Sequence, residues 1–241
     1  MPDEITEDTL FKGKVAVTQF KKGYRFSIDA ILLAGFVTIK SQERLLDLGC
    51  GSGVIPLILA HRHKSIQMIG CELQKDLALL AKTNIRKNGF EERVRILHRD
   101  MCDLTQKETG GAVDVIVCNP PFYSASSGRM NQNTQKALAR HEIGIELPEL
   151  LAVVKSFLNK GGRFYLVYPA NHLVRLFGLM QEFNLEPKKV RMVHSTVGTA
   201  AKLALVCGKA GANTGLKVDA PLIIYDAKKR YTQEVQVLFD G

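Results

Sequence analysis

The sequence predicts an α/β protein built on one mostly parallel sheet with helices on both faces, and three observations carry that prediction. Short apolar runs ending near residues 48, 71, 98 and 118 alternate with helix-period stretches. A glycine turn, Gly49-Cys50-Gly51-Ser52-Gly53, follows the first run and leads into the apolar stretch Val54 to Ala60, which makes a strand, loop and helix unit. Three carboxylates, Asp47, Glu72 and Asp100, stand at or just past the ends of successive runs, where open α/β sheets bind ligands.

The elements follow in order. Lys12 to Phe20 reads as a short strand or hairpin, and Ser27 to Val37 as an amphipathic helix that Ser27 or Asp29 can cap. Residues 1–40 are expected to extend over the ligand site of a single domain spanning 1–241. Strands near 44–48, 66–71, 93–98 and 113–118 alternate with helices near 53–63 and 74–88 and a shorter one after 101. Leu147 to Leu158 then reads as a helix, Gly162 to Tyr168 as a strand and His172 to Phe183 as a helix. Lys188 to Ser195 and Ala201 to Cys207 are close enough in sequence to pair as a hairpin, which gives the sheet an antiparallel C-terminal edge.

Composition narrows the class. The 241 residues are 46% hydrophobic, enough for one substantial core, and the acidic start Met1 to Asp8 lacks an apolar signal segment. The longest apolar runs, such as Ile31 to Ile39, fall short of the roughly 18 residues of a membrane span, so a soluble cytoplasmic protein is expected. Five cysteines with no C-x-x-C spacing argue against a disulfide framework and against zinc, and the six histidines form no ligand set. No metal is expected. A net charge of +9 and a pI near 9.3 imply an anionic partner.

The glycine turn is G-x-G-x-G with Asp47 just before it, which differs from the G-x-G-x-x-G of dinucleotide sites. Glu72, about twenty residues on, stands where nucleotide folds place a ribose-binding acid, and Asp100 is suited to accept from an adenine amino group. The run Asp114 to Cys118 ends abruptly in Asn119-Pro120-Pro121-Phe122, because neither proline has an N–H to donate to a sheet. An amide at Asn119, a free carbonyl on Pro120 and the ring of Phe122 suit a planar base carrying an exocyclic amino group. The ring stacks while the oxygens accept from the amino hydrogens, favouring the pyramidal nitrogen that can attack.

These motifs resemble those of the class I S-adenosylmethionine-dependent methyltransferases, and more narrowly the amino-methylating branch that carries N-P-P-[FY]. With Ser27 to Leu33, Ala139-Arg140-His141-Glu142 and the ending Leu222 to Tyr225 with Tyr231-Thr232, the chain is similar to the bacterial tRNA adenine-N6 methyltransferases that modify valine tRNA beside the anticodon. Cys50 stands where many relatives carry Ala, and Phe122 replaces the commoner Tyr. The resemblance implies a Rossmann-like fold with a seven-stranded sheet and S-adenosyl-L-methionine as cofactor. It places Asp29, Asp47, Gly49, Gly51, Gly53, Glu72, Leu73, Asp100, Met101 and Asn119 at the cofactor, and Asn119 to Phe122 at the chemistry.

The implied partner is tRNA. Between Tyr123 and Gly144 the periodic pattern stops, and this stretch, leaving directly from the catalytic motif, is assigned to substrate capture with Tyr123, Arg129, Lys136, Arg140 and His141. Three basic clusters are expected to meet phosphate: Lys21-Lys22 with Arg25, Lys188-Lys189 with Arg191, and Lys228-Lys229-Arg230 beside Tyr231. Methylation of adenine in ribosomal RNA or DNA, or of a protein glutamine, remains open at this point. So does an RNA-binding module that merely retains the fold.

Overall fold

The computed structural model describes residues 5–21, 26–120 and 145–240. The chain opens on an antiparallel hairpin of β1 (Ile5–Leu10) and β2 (Val15–Phe20), whose turn places Phe11 and Lys12 at positive φ. The hairpin therefore begins earlier than the expected Lys12 to Phe20. Ser27 caps α1 (Ile28–Phe36), accepting from Asp29 N. Then β3 (Arg44–Leu48), α2 (Val54–Arg62), β4 (Gln67–Glu72), α3 (Lys75–Lys87), β5 (Val94–His98), the single-turn α4 (Gln106–Thr109) and β6 (Val113–Cys118) follow in the predicted alternation. The later elements are α5 (Leu147–Phe157), β7 (Leu158–Pro169), α6 (Leu173–Glu182), β8 (Leu185–His194) and β9 (Ala201–Ala210). Three short elements were not expected: β10 (Lys217–Val218), β11 (Leu222–Ile223) and α7 (Gln233–Asp240).

The main sheet runs β10-β8-β9-β7-β6-β3-β4-β5, with β11 also on β8. Seven strands form its body, mostly parallel with β9 antiparallel between β7 and β8; the two-residue β10 and β11 add to the expected seven by lining the outer edge of β8. The chain order reverses between β3 and β6, which pair directly, so their C-terminal ends form the crevice of the sheet.

Side chains alternate between two cores. Leu45, Val115, Val117, Tyr165 and Leu205 pack with α1, α2 and α3, while Leu46, Leu48, Ile116, Cys118, Phe164 and Leu166 pack with α5 and α6. Strands buried on both faces read as continuous apolar runs, which is why they were visible in the sequence. The late α7 is an amphipathic helix that docks on α1 at Gly35, where an added Cβ would lie 2.6 Å from Leu238 Cδ2. The ring ladder Tyr225, Tyr231 and Phe239, stacked at 5.3 and 5.1 Å, holds this C-terminal segment together.

Candidate active site

The glycine loop leaves β3 with Gly49, Gly51 and Gly53 all at positive φ, a path that residues with a Cβ follow only under strain. Gly49 N and Cys50 N both donate to Cys71 O, at 2.9 and 3.0 Å, so the loop is fastened to the end of β4. Glu72 completes the attachment: its Oε2 accepts from Gly51 N and its Oε1 from Gln74 N, each at 2.8 Å. The expected ribose acid is thus buried and already oriented by two backbone donors. Cys50, the departure from the commoner Ala, fits because Gly70 faces it; a Cβ on Gly70 would lie 2.9 Å from Cys50 Sγ.

Asp47 differs from Glu72. It points into the α1 and α2 side of the sheet with no exposed surface, and neither carboxylate oxygen has a partner among the described residues. Burial, and then the neighbouring Glu72 charge, raise its pKa well above the ordinary value. Ser52 Oγ, also buried, has no partner either, and α2 begins on Gly53 without a side-chain cap. Unpaired acceptors beside an uncapped helix N-terminus suit a ligand that carries both an ammonium and a carboxylate.

The remaining expected cofactor residues surround this loop. Met101 Cε lies 3.8 Å from where a Cβ of Gly49 would be, Leu73 is exposed at the rim, and Asp100 Oδ1 accepts from Cys102 N at 2.9 Å in the turn after β5. Asp29 stands half-buried in the first turn of α1, with its pKa raised by burial. Thr38, just past the other end of α1, accepts from Arg163 early in β7, which leaves Asp29 toward the end of the sheet where Asn119 lies. Cys118 closes β6 opposite Leu48, so Asn119 and Pro120 emerge half-buried beside the glycine loop. Pro121, Phe122, Tyr123, Arg129 and Arg140, with Lys22 and Arg25, lie outside the described residues.

The basic clusters divide. Lys228 sits on a turn that Asp226 rigidifies, its Oδ1 accepting from Lys228 N and Arg230 N at 2.8 and 3.0 Å. That turn follows β11, which pairs with the last residues of β8, at the same end of the sheet as Asn119. Lys21 is exposed at the end of β2. Lys188 does not join them. Its Nζ donates to Asn213 O at 3.0 Å in a shallow pocket with Lys160, Gly161 and Lys209, at the end where β6 and β7 begin. Its neighbours are committed internally: Lys189 pairs with Asp219 at 2.8 Å and lies over the Phe36 ring, and Arg191 pairs with Glu234 at 2.7 Å. Of the three clusters expected to meet phosphate, the one at 188–191 thus lies apart from Lys228, because Asn213 O, Asp219 and Glu234 reach it from later parts of the chain, which sequence spacing does not reveal.

Other cavities and thiols add no chemistry here. An open groove of 980 Å³ runs along β5 past Arg44, Gln67, Lys82 and Arg95, away from Asn119. Burial pushes the Cys71 thiol up to about 12 and holds Cys50 and Cys118 well above the ordinary thiol value, so these behave as inert core residues. Among the described residues there is no cluster suited to a metal and no helix long and apolar enough to cross a membrane.

A sheet of this order with a ligand-ready glycine loop at its switch point defines the Rossmann-like methyltransferase class. Residues 27–186 match the Methyltransferase small domain family, and the chain belongs to that family. S-adenosylmethionine is its cofactor. A tRNA1(Val) (adenine(37)-N6)-methyltransferase of Shewanella sp. strain W3-18-1 is 29% identical over 215 residues, covering 88% of each chain. One from Parabacteroides distasonis is 27% identical, covering 92% of this chain and 91% of its own. Among solved structures, a predicted O-methyltransferase, Atu636 from Agrobacterium tumefaciens, superposes with a TM-score of 0.70 at 20% identity over 88% of this chain and 95% of that one.

Two residues that shape the site carry no assigned role in the sequence reading, Ser52 within the glycine turn and Asn84 on α3. Asn84 had a signal: with Leu77, Ala81 and Ile85 it falls on the buried stripe of α3, where a polar residue needs a reason.

Proposed function

We propose that this protein methylates N6 of an adenine in tRNA, beside the anticodon of valine tRNA, using S-adenosylmethionine. The observation that carries the reading is the emergence of Asn119 and Pro120 directly beside the glycine loop, Asp47 and Glu72, so that an amide-and-carbonyl acceptor pair borders the cofactor cradle. The names of the similar Shewanella and Parabacteroides proteins support the choice of substrate. When bound, the cofactor supplies an electrophilic methyl group.

Asp47 and Ser52 bind its polar amino-acid end and Glu72 its ribose hydroxyls. Asn119 Oδ1 and the Pro120 carbonyl accept from the adenine amino hydrogens and hold the nitrogen in the geometry that attacks. Phe122 stacks on the base once it has left the loop of the RNA. No general base is required, because the amino nitrogen becomes acidic on alkylation. Positioning supplies the rate enhancement. Residues 1–40 act as a cover over the cofactor within one domain, and Lys21, Lys228 and the segment after Asn119 meet RNA phosphate.

The test is to incubate the purified protein with S-adenosylmethionine and unmodified tRNA, then identify nucleosides by mass spectrometry. N6-methyladenosine recovered from the anticodon loop of valine tRNA is expected. Methyl incorporation only into ribosomal RNA, DNA or protein would overturn the substrate assignment.

A further inference from the structure

The hairpin β1–β2 is held by an unusual device on α3. Asn84 Oδ1 accepts from Thr18 N at 2.9 Å while its Nδ2 donates to Thr18 O at 2.8 Å. One turn on, Asn88 repeats the pattern with Ala16, accepting from its N at 2.9 Å and donating to its O at 2.8 Å. The spacing works because four helical residues rise about 6 Å and two strand residues about 6.6 Å. Two side-chain amides thus stand in for a neighbouring strand along the free edge of β2.

Asn84 makes one bond that Asn88 does not. Its Nδ2 also donates to Ser52 O, at 2.9 Å, inside the glycine loop. With no exposed surface and three backbone partners, the Asn84 amide is fully satisfied and its orientation is determined. The loop is therefore gripped from both sides, by Glu72 at Gly51 N and by Asn84 at Ser52 O. The hairpin meanwhile reaches the other wall of the site, since Gln19 Oε1 accepts from Phe26 N, at 3.3 Å, just ahead of α1.

We propose that Asn84 is a positioning residue for the cofactor: it joins the N-terminal hairpin to the glycine loop and sets the orientation of the Ser52 carbonyl, and so of the loop that receives the amino-acid end of S-adenosylmethionine. This rests on the cofactor reading above. Asn88 anchors the hairpin, and its third bond returns to Asn84 O within α3, at 2.8 Å, instead of reaching the glycine loop. The two asparagines share a helix, a strand and a chemistry, so they form an internal control for a merely structural role.

The experiment compares wild type, Asn84→Ala and Asn88→Ala by calorimetric titration with S-adenosylhomocysteine, alongside thermal melts. Both variants lose stability. Asn84→Ala is expected to lose about tenfold in affinity, the worth of one buried hydrogen bond, while Asn88→Ala stays within about twofold of wild type. In steady-state assays with RNA, Asn84→Ala raises KM for S-adenosylmethionine and retains kcat. Hydrogen exchange on the wild type supplies a readout that does not depend on a variant's folding: S-adenosylhomocysteine should slow exchange at Thr18 N, which belongs to the hairpin. An affinity loss in Asn84→Ala no greater than in Asn88→Ala, or unchanged exchange at Thr18, would overturn the proposal. Wild-type protein that fails to bind S-adenosylhomocysteine would overturn the cofactor reading itself, and the proposal with it.

Discussion

Where β3, β6 and β7 begin, Asp114 accepts from Arg44 N and Asn159 Nδ2, and Arg163 pairs with Glu43 at 2.5 Å; where β3 ends, the Asp47 carboxylate and Ser52 Oγ are buried with no partner among the described residues. Among the described residues, Arg163 Nε is an exception at the saturated end. A buried polar group left unpaired costs about 1–3 kcal/mol, which a fold tolerates where a ligand later supplies the partner. One end of the sheet thus contributes stability and the other gives some up for binding. Asp47 and Glu72 repeat the contrast at closer range, one carboxylate without donors among the described residues and the other held by two backbone N–H groups.

The largest effect expected from breaking this contrast is at the open end. Asn119→Ala should lower kcat by about 10²–10³, the usual loss when one preorganised polar contact to the reacting group is removed, while RNA affinity, measured by filter binding, falls far less. A turnover near wild type would reduce Asn119-Pro120 to a turn.

Next in size is Asp47→Asn, which keeps shape and removes charge. Affinity for S-adenosylhomocysteine should fall by about 10- to 100-fold, the range of a charge-assisted hydrogen bond. Because the folded Asp47 carboxyl lies above its ordinary value of 3.8, its contribution to the stability of the ligand-free protein is full below that value. It is lost as pH rises through the folded value. Melts of the ligand-free protein should therefore decline with rising pH, and Asp47→Asn should remove that part of the slope. Binding has the opposite sign, since pairing with an ammonium needs the ionised form, so wild-type affinity rises as Asp47 loses its proton.

At the saturated end the pattern reverses. Arg163→Leu should cost about 1–3 kcal/mol of stability, measured by denaturant unfolding, because Glu43 and Thr38 O lose a donor. Its kcat should stay within about twofold of wild type. A kcat loss larger than the stability loss explains would mean the two ends are not separable.

The smallest effect separates the lysines. Lys228→Ala should weaken RNA binding and reduce the log-log salt slope by about 1, as for the loss of one phosphate contact. Lys188→Ala should leave the slope unchanged. Equal slopes for the two variants would show that RNA reaches both ends.

Much of this architecture was legible in the chain. The apolar runs ending at Leu48, Cys71, His98 and Cys118 declared buried parallel strands, since such strands need no polar face. The glycines at 49, 51 and 53 were legible because a turn at positive φ leaves few residue choices. The weakly patterned C-terminal part was not. The strands β10 and β11 are two residues each and exist through pairing with β8, and α7 is short and stabilised by docking on α1. Lys188 and Lys228 look alike in sequence, and only the partners that the fold supplies distinguish them.

The sequence by itself determined the α/β class, the strand–glycine-loop–helix unit and the Asn119-Pro120 terminus of β6, because each follows from local stereochemistry: periodicity, positive φ and missing N–H groups. Only the tertiary structure decided that Asp47 receives no donor from the described residues while Glu72 receives two, that Gly70 makes room for Cys50, and that Asn84 links Thr18 to Ser52. Those are matters of which backbone groups arrive beside a side chain from distant parts of the chain. Thr18 and Asn84 are separated by 66 positions and Ser52 and Asn84 by 32, distances over which no local pattern carries information.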